Sequence, residues 1–201
     1  MGKQADDGIP RVRLFVALDL PDFTRGGLES WGARELVDPA LRPVPAENLH
    51  ITLAFLGQRA PEDVERVAAV VRGLASAAPR IELLDPVARP ERGRARVLAV
   101  PVASSAAERL QSELSEFLIS ERLHEPEKRP FWPHVTVARV CAEGRGSGRP
   151  MAVKRTPGEL PTAARQPCFC RRLTLYRSEL QPSGARYVPL AQIKLLGPGQ
   201  Q

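Results

Sequence analysis

His50-Ile-Thr-Leu-Ala54 and His134-Val-Thr-Val-Ala138 are one pentad written twice: His, apolar, Thr, apolar, Ala. The second copy begins 84 residues after the first. Alternate side chains of a strand share a face. His50 and Thr52 therefore point one way while Ile51 and Leu53 enter the core, and His134 and Thr136 separate likewise from Val135 and Val137. Each strand thus offers an imidazole and a hydroxyl side by side. The chain holds three histidines, and two of them occupy equivalent places in this repeat. One His-x-Thr on an amphipathic strand is an ordinary polar pair. Two with matching polar faces imply a duplicated scaffold whose halves pack about a pseudo-twofold, with both His and both Thr lining one cleft.

The rest of the chain supplies the frame. Residues 11–19 read as a strand ended by Pro21. Residues 28–37 read as a short helix, and 48–56 as the strand of the first pentad, closed by Gly57. Pro61 at a first turn, followed by Glu62 and Asp63, opens a second helix. Val64, Val67, Ala68, Val71 and Leu74 give that helix one buried stripe, and Pro79 stops it. Residues 80–84 and 94–102 pair as strands across a Pro- and Gly-containing connection. Ser104 or Ser105 then caps a helix through Leu110, Leu114, Phe117 and Leu118. Residues 133–140 carry the second pentad. Residues 141–167 are rich in Gly, Pro and Arg and read as a flexible loop. Residues 171–176 and 186–196 finish as two strands around the turn residues Pro182, Ser183 and Gly184. This is an α+β arrangement with no internal linker, so residues 1–201 are expected to form a single domain with a flexible N-terminus over 1–10.

Composition narrows the function classes. The 201 residues contain 43% hydrophobic and 26% charged residues, as soluble globular proteins do. No apolar run approaches the ~20 residues of a membrane helix, and residues 1–13 lack the apolar core of a signal peptide. Cys141, Cys168 and Cys170 are odd in number and too few for a disulfide framework, so free cytoplasmic thiols are expected. Lys and Arg number 29 against 23 Asp and Glu, a net charge of +6 that favours anionic partners such as nucleic acid. Arg89, Arg92, Arg94 and Arg96 form its densest cluster.

Two facing imidazoles suit phosphodiester hydrolysis. That reaction needs a base to take a proton from water and an acid to protonate the leaving oxygen, and histidine does either near neutral pH. Thr hydroxyls can hold the non-bridging oxygens as charge builds. Carboxylates at metal-ligand spacing are absent around both motifs, and two His alone make a poor zinc site. A cofactor-free, metal-free acid–base mechanism is expected. Spacing alone leaves the two histidines interchangeable between the two roles.

With these motifs the chain resembles the 2H phosphoesterases, and among them the RNA 2′,3′-cyclic phosphodiesterase branch, also described as 2′-5′ RNA ligase-like. Residues 13–21, 47–57, 130–139, 175–180 and 186–188 carry the likeness. The resemblance implies a bilobal pseudo-twofold α+β fold, each lobe an antiparallel sheet backed by helices, with the active-site cleft between lobes. It implies hydrolysis of an RNA terminal 2′,3′-cyclic phosphate to a 2′-phosphate. By this likeness His50 is the acid on O3′, His134 the base on water, and Thr52 and Thr136 bind phosphate. Arg139, where the family often has Arg, pairs with phosphate only if the strand bends, since plain alternation puts it on the face opposite His134. Trp132 stands where relatives often have Arg, and either stacks on a base or packs at the strand entry. Phe55, Tyr176 and Tyr187 are expected in the core or at the rim. The partner is an RNA with a 2′,3′-cyclic phosphate end, or a cyclic nucleotide, and a monomer is expected. The alternatives are action on a small cyclic nucleotide or a 2′-5′ linkage, and a non-catalytic RNA-binding module.

Overall fold

The two pentads lie on adjacent strands. The computed structural model describes residues 11–144, 146–181 and 184–197. The flexible segment expected at 1–10 and the turn residues Pro182 and Ser183 lie outside the described residues. The elements are β1 (Val12–Asp19), α1 (Asp22–Glu35), β2 (Leu41–Pro43), β3 (His50–Arg59), α2 (Pro61–Gly73), β4 (Arg80–Leu83), β5 (Val87–Arg89), β6 (Val97–Ala103), α3 (Ser105–Ser120), β7 (His134–Val140), β8 (Cys168–Phe169), β9 (Arg172–Gln181) and β10 (Gly184–Lys194). A short 3-10 turn, Ala46–Asn48, leads into β3.

The α+β class stands, with a sheet in the order β10-β9-β1-β3-β7-β6-β4-β8. β2 adds to β7, and β5 to β6. β3 and β7 join the halves through one antiparallel pair, Ile51 opposite Val135. These are the second residues of the two pentads, so a local twofold runs between them. Because only that pair forms, the strands diverge on either side of it and leave a cleft on the polar face. Each half has its own strands and shares helices below: α2 packs on β9 and β10, and α3 on β3 and β4.

The twofold extends to the neighbouring strands. In the first half Leu18 lies opposite Ile51, Ala17 opposite Thr52 and Val16 opposite Ala54. In the second, Val100 lies opposite Val135, Ala99 opposite Thr136 and Leu98 opposite Ala138. Both ladders skip one residue at the same place, Leu53 and Val137. A bulge turns the chain so that the next side chain changes face. Leu53-Ala54 and Val137-Ala138 are accordingly consecutive buried residues. After them Phe55 and Arg139 return to the face of His50, Thr52, His134 and Thr136.

Several boundaries move from their expected places. α1 begins six residues earlier than residue 28, because Pro21 sets the N-cap and Asp22 meets the helix dipole, while Gly26 and Gly27 dilute the apolar pattern. It buries Thr24, Leu28 and Trp31. α2 ends at Gly73, short of Pro79. β3 runs past Gly57, whose φ of +69° fits a second register shift against β1. β5 lies in what reads as a connection. α3 starts as expected: the Ser104 hydroxyl accepts from the Ala107 N–H at 3.0 Å, a cap worth about 1 kcal/mol. Its Leu110, Leu114 and Leu118 are fully buried, each contributing about 1.5–3 kcal/mol of transfer free energy.

The described residues of 141–167 hold no helix, and carboxylates tether the segment at three points. Asp38 accepts from the backbone N–H groups of Lys154 (2.7 Å) and Arg155 (2.8 Å). Glu35 accepts from Gly158 (2.9 Å) and Asp85 from Leu160 (3.2 Å). The Trp31 indole N–H donates to the Gly158 carbonyl at 3.2 Å, and Leu160 and Ala164 are buried. The segment is thus irregular but anchored, in place of the loose loop its composition suggests.

Candidate active site

The diverging strands open a cleft of about 1010 Å³ lined by His50, Thr52, His134, Thr136, Phe55 and Arg139, among others. Continuing the Ile51–Val135 register sets His50 across from Thr136 and Thr52 across from His134. All four side chains stand on the face opposite the buried Ile51 and Val135. The sheet therefore builds a His-Thr, Thr-His quartet from two local sequences.

Both imidazoles are oriented in the same way. His50 Nδ1 lies 2.7 Å from the Asn48 carbonyl oxygen, and His134 Nδ1 lies 2.8 Å from that of Trp132. A carbonyl only accepts, so each Nδ1 carries the proton and each neutral ring keeps Nε2 as its basic atom. The Thr52 hydroxyl then donates to His50 Nε2 at 2.9 Å. In both motifs the carbonyl acceptor belongs to the residue two before the histidine, as the duplication requires.

Burial disfavours charge on both rings. It lowers His50 to about 4, with the Asn48 carbonyl and the Asp19 carboxylate working against it and His134 and Arg139 with it. His134 also falls below the usual value through burial, with the Trp132 carbonyl opposing and Arg89 adding to the fall. Both rings therefore favour the neutral form.

The walls differ. On the β3 side an aromatic cluster surrounds His50: Phe15 at 5.0 Å between ring centroids, Tyr187 edge-on at 5.3 Å and Tyr176 at 6.4 Å. Phe55 is 59% exposed and stands in the cleft, not in the core. Burial pushes Tyr176 up to about 12, and its hydroxyl donates to Asp19 at 2.8 Å. On the β7 side Arg139 occupies the place equivalent to Phe55. Arg13, Arg42 and Arg186 line the outer cleft. Trp132 lies behind His134, stacked on its ring at 4.2 Å and 19°, with the Arg89 guanidinium 4.4 Å from the indole centroid. It is not among the cleft-lining residues, which favours the packing reading over base stacking.

His50, Thr52, His134, Thr136 and Arg139 thus converge as the motifs suggest, and the bulge supplies the bend that Arg139 needs. Phe55 escapes simple alternation for the same reason, although its match to Arg139 in the repeat was there to find. The contribution of Arg13, Arg42 and Arg186 has no local signature, since β1, β2 and β10 bring them together. Among the described residues no three His, Cys, Asp or Glu side chains converge as metal ligands, and no helix is long and apolar enough to cross a membrane.

Comparisons with known proteins agree with this geometry. The model of the 2′-5′ RNA ligase superfamily matches residues 20–163. An RNA 2′,3′-cyclic phosphodiesterase of Thermus thermophilus is 31% identical over 193 residues, covering 92% of this chain and 91% of its own. One of Escherichia coli is 31% identical over 181 residues, covering 89% and 93%. A crystal structure of a Thermus thermophilus protein superposes with a TM-score of 0.76 at 30% identity, over 92% of this chain and 99% of that one. The paired pentads, the sheet that joins them and these relatives lead to one assignment: the chain belongs to the 2′-5′ RNA ligase superfamily, the 2H phosphoesterases.

Proposed function

We propose that the cleft hydrolyses the 2′,3′-cyclic phosphate at the end of an RNA to a 2′-phosphate, with His50 as general acid and His134 as general base. One observation carries this reading: two imidazoles, each with its Nδ1 proton committed to a backbone carbonyl, face one cleft beside two threonine hydroxyls. The phosphate sits over the quartet. Thr52, Thr136 and Arg139 donate to its non-bridging oxygens, whose charge grows in the transition state. His134 Nε2 takes a proton from water as the water oxygen bonds to phosphorus. The bond from phosphorus to O3′ breaks, and O3′ takes a proton from His50. The products are a 2′-phosphate and a 3′-hydroxyl, with His50 neutral and His134 protonated, and exchange with solvent restores both.

The unlike walls support the assignment of roles. The leaving oxygen belongs to the nucleoside, so the acid stands on the nucleoside's side of the phosphate. The aromatic wall, with Phe55 exposed for a base to stack on, is His50's side. Arg13, Arg42 and Arg186 extend the cleft for phosphates further along the strand, which favours an oligonucleotide over a mononucleotide. One chain supplies both histidines, so the working unit is a monomeric, single bilobal domain over 1–201. Its three free cysteines suit the reducing cytoplasm. Turnover of a short RNA ending in a 2′,3′-cyclic phosphate, measured beside a nucleoside 2′,3′-cyclic monophosphate, tests the proposal. The RNA is expected to give the higher kcat/KM, and failure to turn over either substrate would overturn the reading.

A further inference from the structure

The twofold that pairs the histidines also pairs their surroundings, and there the two halves differ in charge. Asp19 lies opposite His50 on β1, and the equivalent residue opposite His134 on β6 is Pro101. Opposite residues of an antiparallel pair share a face with Cβ atoms about 5 Å apart, so one histidine has a carboxylate beside it and the other a proline. The next strands out differ too. Tyr176 and Thr174 pair with Phe15 and Ala17, and their twofold counterparts are Arg89 and Val87, which pair with Val97 and Ala99. On the first side Tyr176 and Thr174 both donate to Asp19, at 2.8 and 3.0 Å. On the second side the same lattice places a guanidinium, which stacks on Trp132, which stacks on His134.

We infer that these residues break the equivalence of the two histidines: Asp19 holds the proton on His50, while Arg89, carried by Trp132, keeps His134 unprotonated. This rests on the acid–base reading above and supplies a physical reason for its direction. None of the three residues need touch substrate, so they are positioning residues. The groups facing His50 are Asp19, Tyr176, Tyr187, His134 and Arg139; of these Asp19 is the one anion. Those facing His134 are Arg89, whose guanidinium is also paired with Glu91, and His50, with Arg139 on the same face of β7. A bound phosphodiester is an anion shared by both rings and draws a proton into the site. It does not by itself choose the ring. The fixed charges choose: burial disfavours charge on both rings, Asp19 opposes it at His50, and Arg89 adds to it at His134. Asp19 itself is buried, with Arg172 Nε at 3.5 Å and Gln192 donating at 3.1 Å, so its carboxylate is kept in place.

Histidine ring signals followed by NMR across pH, with inorganic phosphate or adenosine 2′-monophosphate bound, read the proton's place directly. In the wild type His50 is expected to carry it. Arg89→Gln is expected to raise the His134 midpoint by roughly half a unit to one unit, and Arg89→Lys to restore it. The acid limb of kcat/KM should move up in step, since it marks loss of the neutral base. Asp19→Asn is expected to lower the His50 midpoint and pull the basic limb down by a similar amount. Asp19 is buried and its variant is the one at risk in folding, whereas Arg89 is partly exposed and its variants keep the test decisive. A proton found on His134 with His50 neutral would overturn the inference, as would an Arg89→Gln protein whose His134 titration is unchanged. Failure of the function itself would show separately, as a protein that titrates in this way yet turns over no RNA.

Discussion

Phe55→Ala isolates what the paired bulges accomplish. Without the bulge at Leu53, alternation would bury residue 55; with it, the ring stands 59% exposed in the cleft. Its nearest aromatic neighbour is Phe15, at 6.4 Å between centroids. Truncating so exposed a ring is expected to cost stability about 1 kcal/mol or less. Stacking of a nucleobase on an aromatic ring is worth about 1–3 kcal/mol, and a factor of ten corresponds to about 1.4 kcal/mol. The expected loss in kcat/KM on an RNA end is therefore about 5- to 150-fold, and Phe55→Tyr should retain most of the activity. The assay pairs that RNA with a ribose 2′,3′-cyclic phosphate that has no base. Loss on the first substrate and near-constancy on the second is the signature of a base platform. Equal loss on both would mean that Phe55 supports the cleft and not the base, and no loss on either would refute its place at the site.

The remaining expectations follow from the same geometry. Both histidines lie below their ordinary value through burial, so the bell of kcat/KM against pH should centre on the acid side of about 6.5; the kcat bell should lie higher, because a bound anion favours the protonated ring. A kcat/KM optimum well above neutrality would contradict this. Thr52→Val and Thr136→Val should each lower kcat by roughly 10- to 1000-fold without changing Tm, and steady-state rates beside a thermal melt check both points. Asp38→Ala should lower Tm at pH 7 by releasing the N–H groups of Ala40, Lys154 and Arg155. Those bonds hold the Asp38 carboxyl below the usual carboxylate value, so its contribution is present above about pH 4 and fades as the pH falls through the folded value. The Tm gap should close in acid, and a gap independent of pH would sink this account.

Much of the site was legible because the residues that carry it repeat. The pentads fix which side chains share a face, and a matched pair of faces implies their meeting. The long helices were legible from spacing and caps, as at Ser104 and Pro61. What escaped was set by pairing between strands. Nothing in Val137-Ala138 by itself announces a bulge, since two apolar residues in a row also fit a buried strand, so the turn of Arg139 and Phe55 into the cleft needed the register with β6 and β1. Trp132 reads equally well as a base platform or a packing residue until Arg89 arrives from β5, a three-residue strand hidden among prolines. The anchoring of residues 141–167 was invisible for a related reason. Gly, Pro and Arg forecast irregular backbone correctly, but the carboxylates that hold it, Glu35, Asp38 and Asp85, lie more than seventy residues away in sequence.

On the proposed reading two histidines, without a metal, open the cyclic phosphate at its bond to O3′. The most direct measurement incubates the EDTA-treated protein, with His50→Ala and His134→Ala alongside, with a short RNA ending in a 2′,3′-cyclic phosphate and identifies the product. A 2′-phosphate is expected from the wild type at its full rate, and each variant should lose roughly 100- to 10,000-fold. A 3′-phosphate, a rate abolished by EDTA, or near-wild-type turnover by both variants would contradict the account.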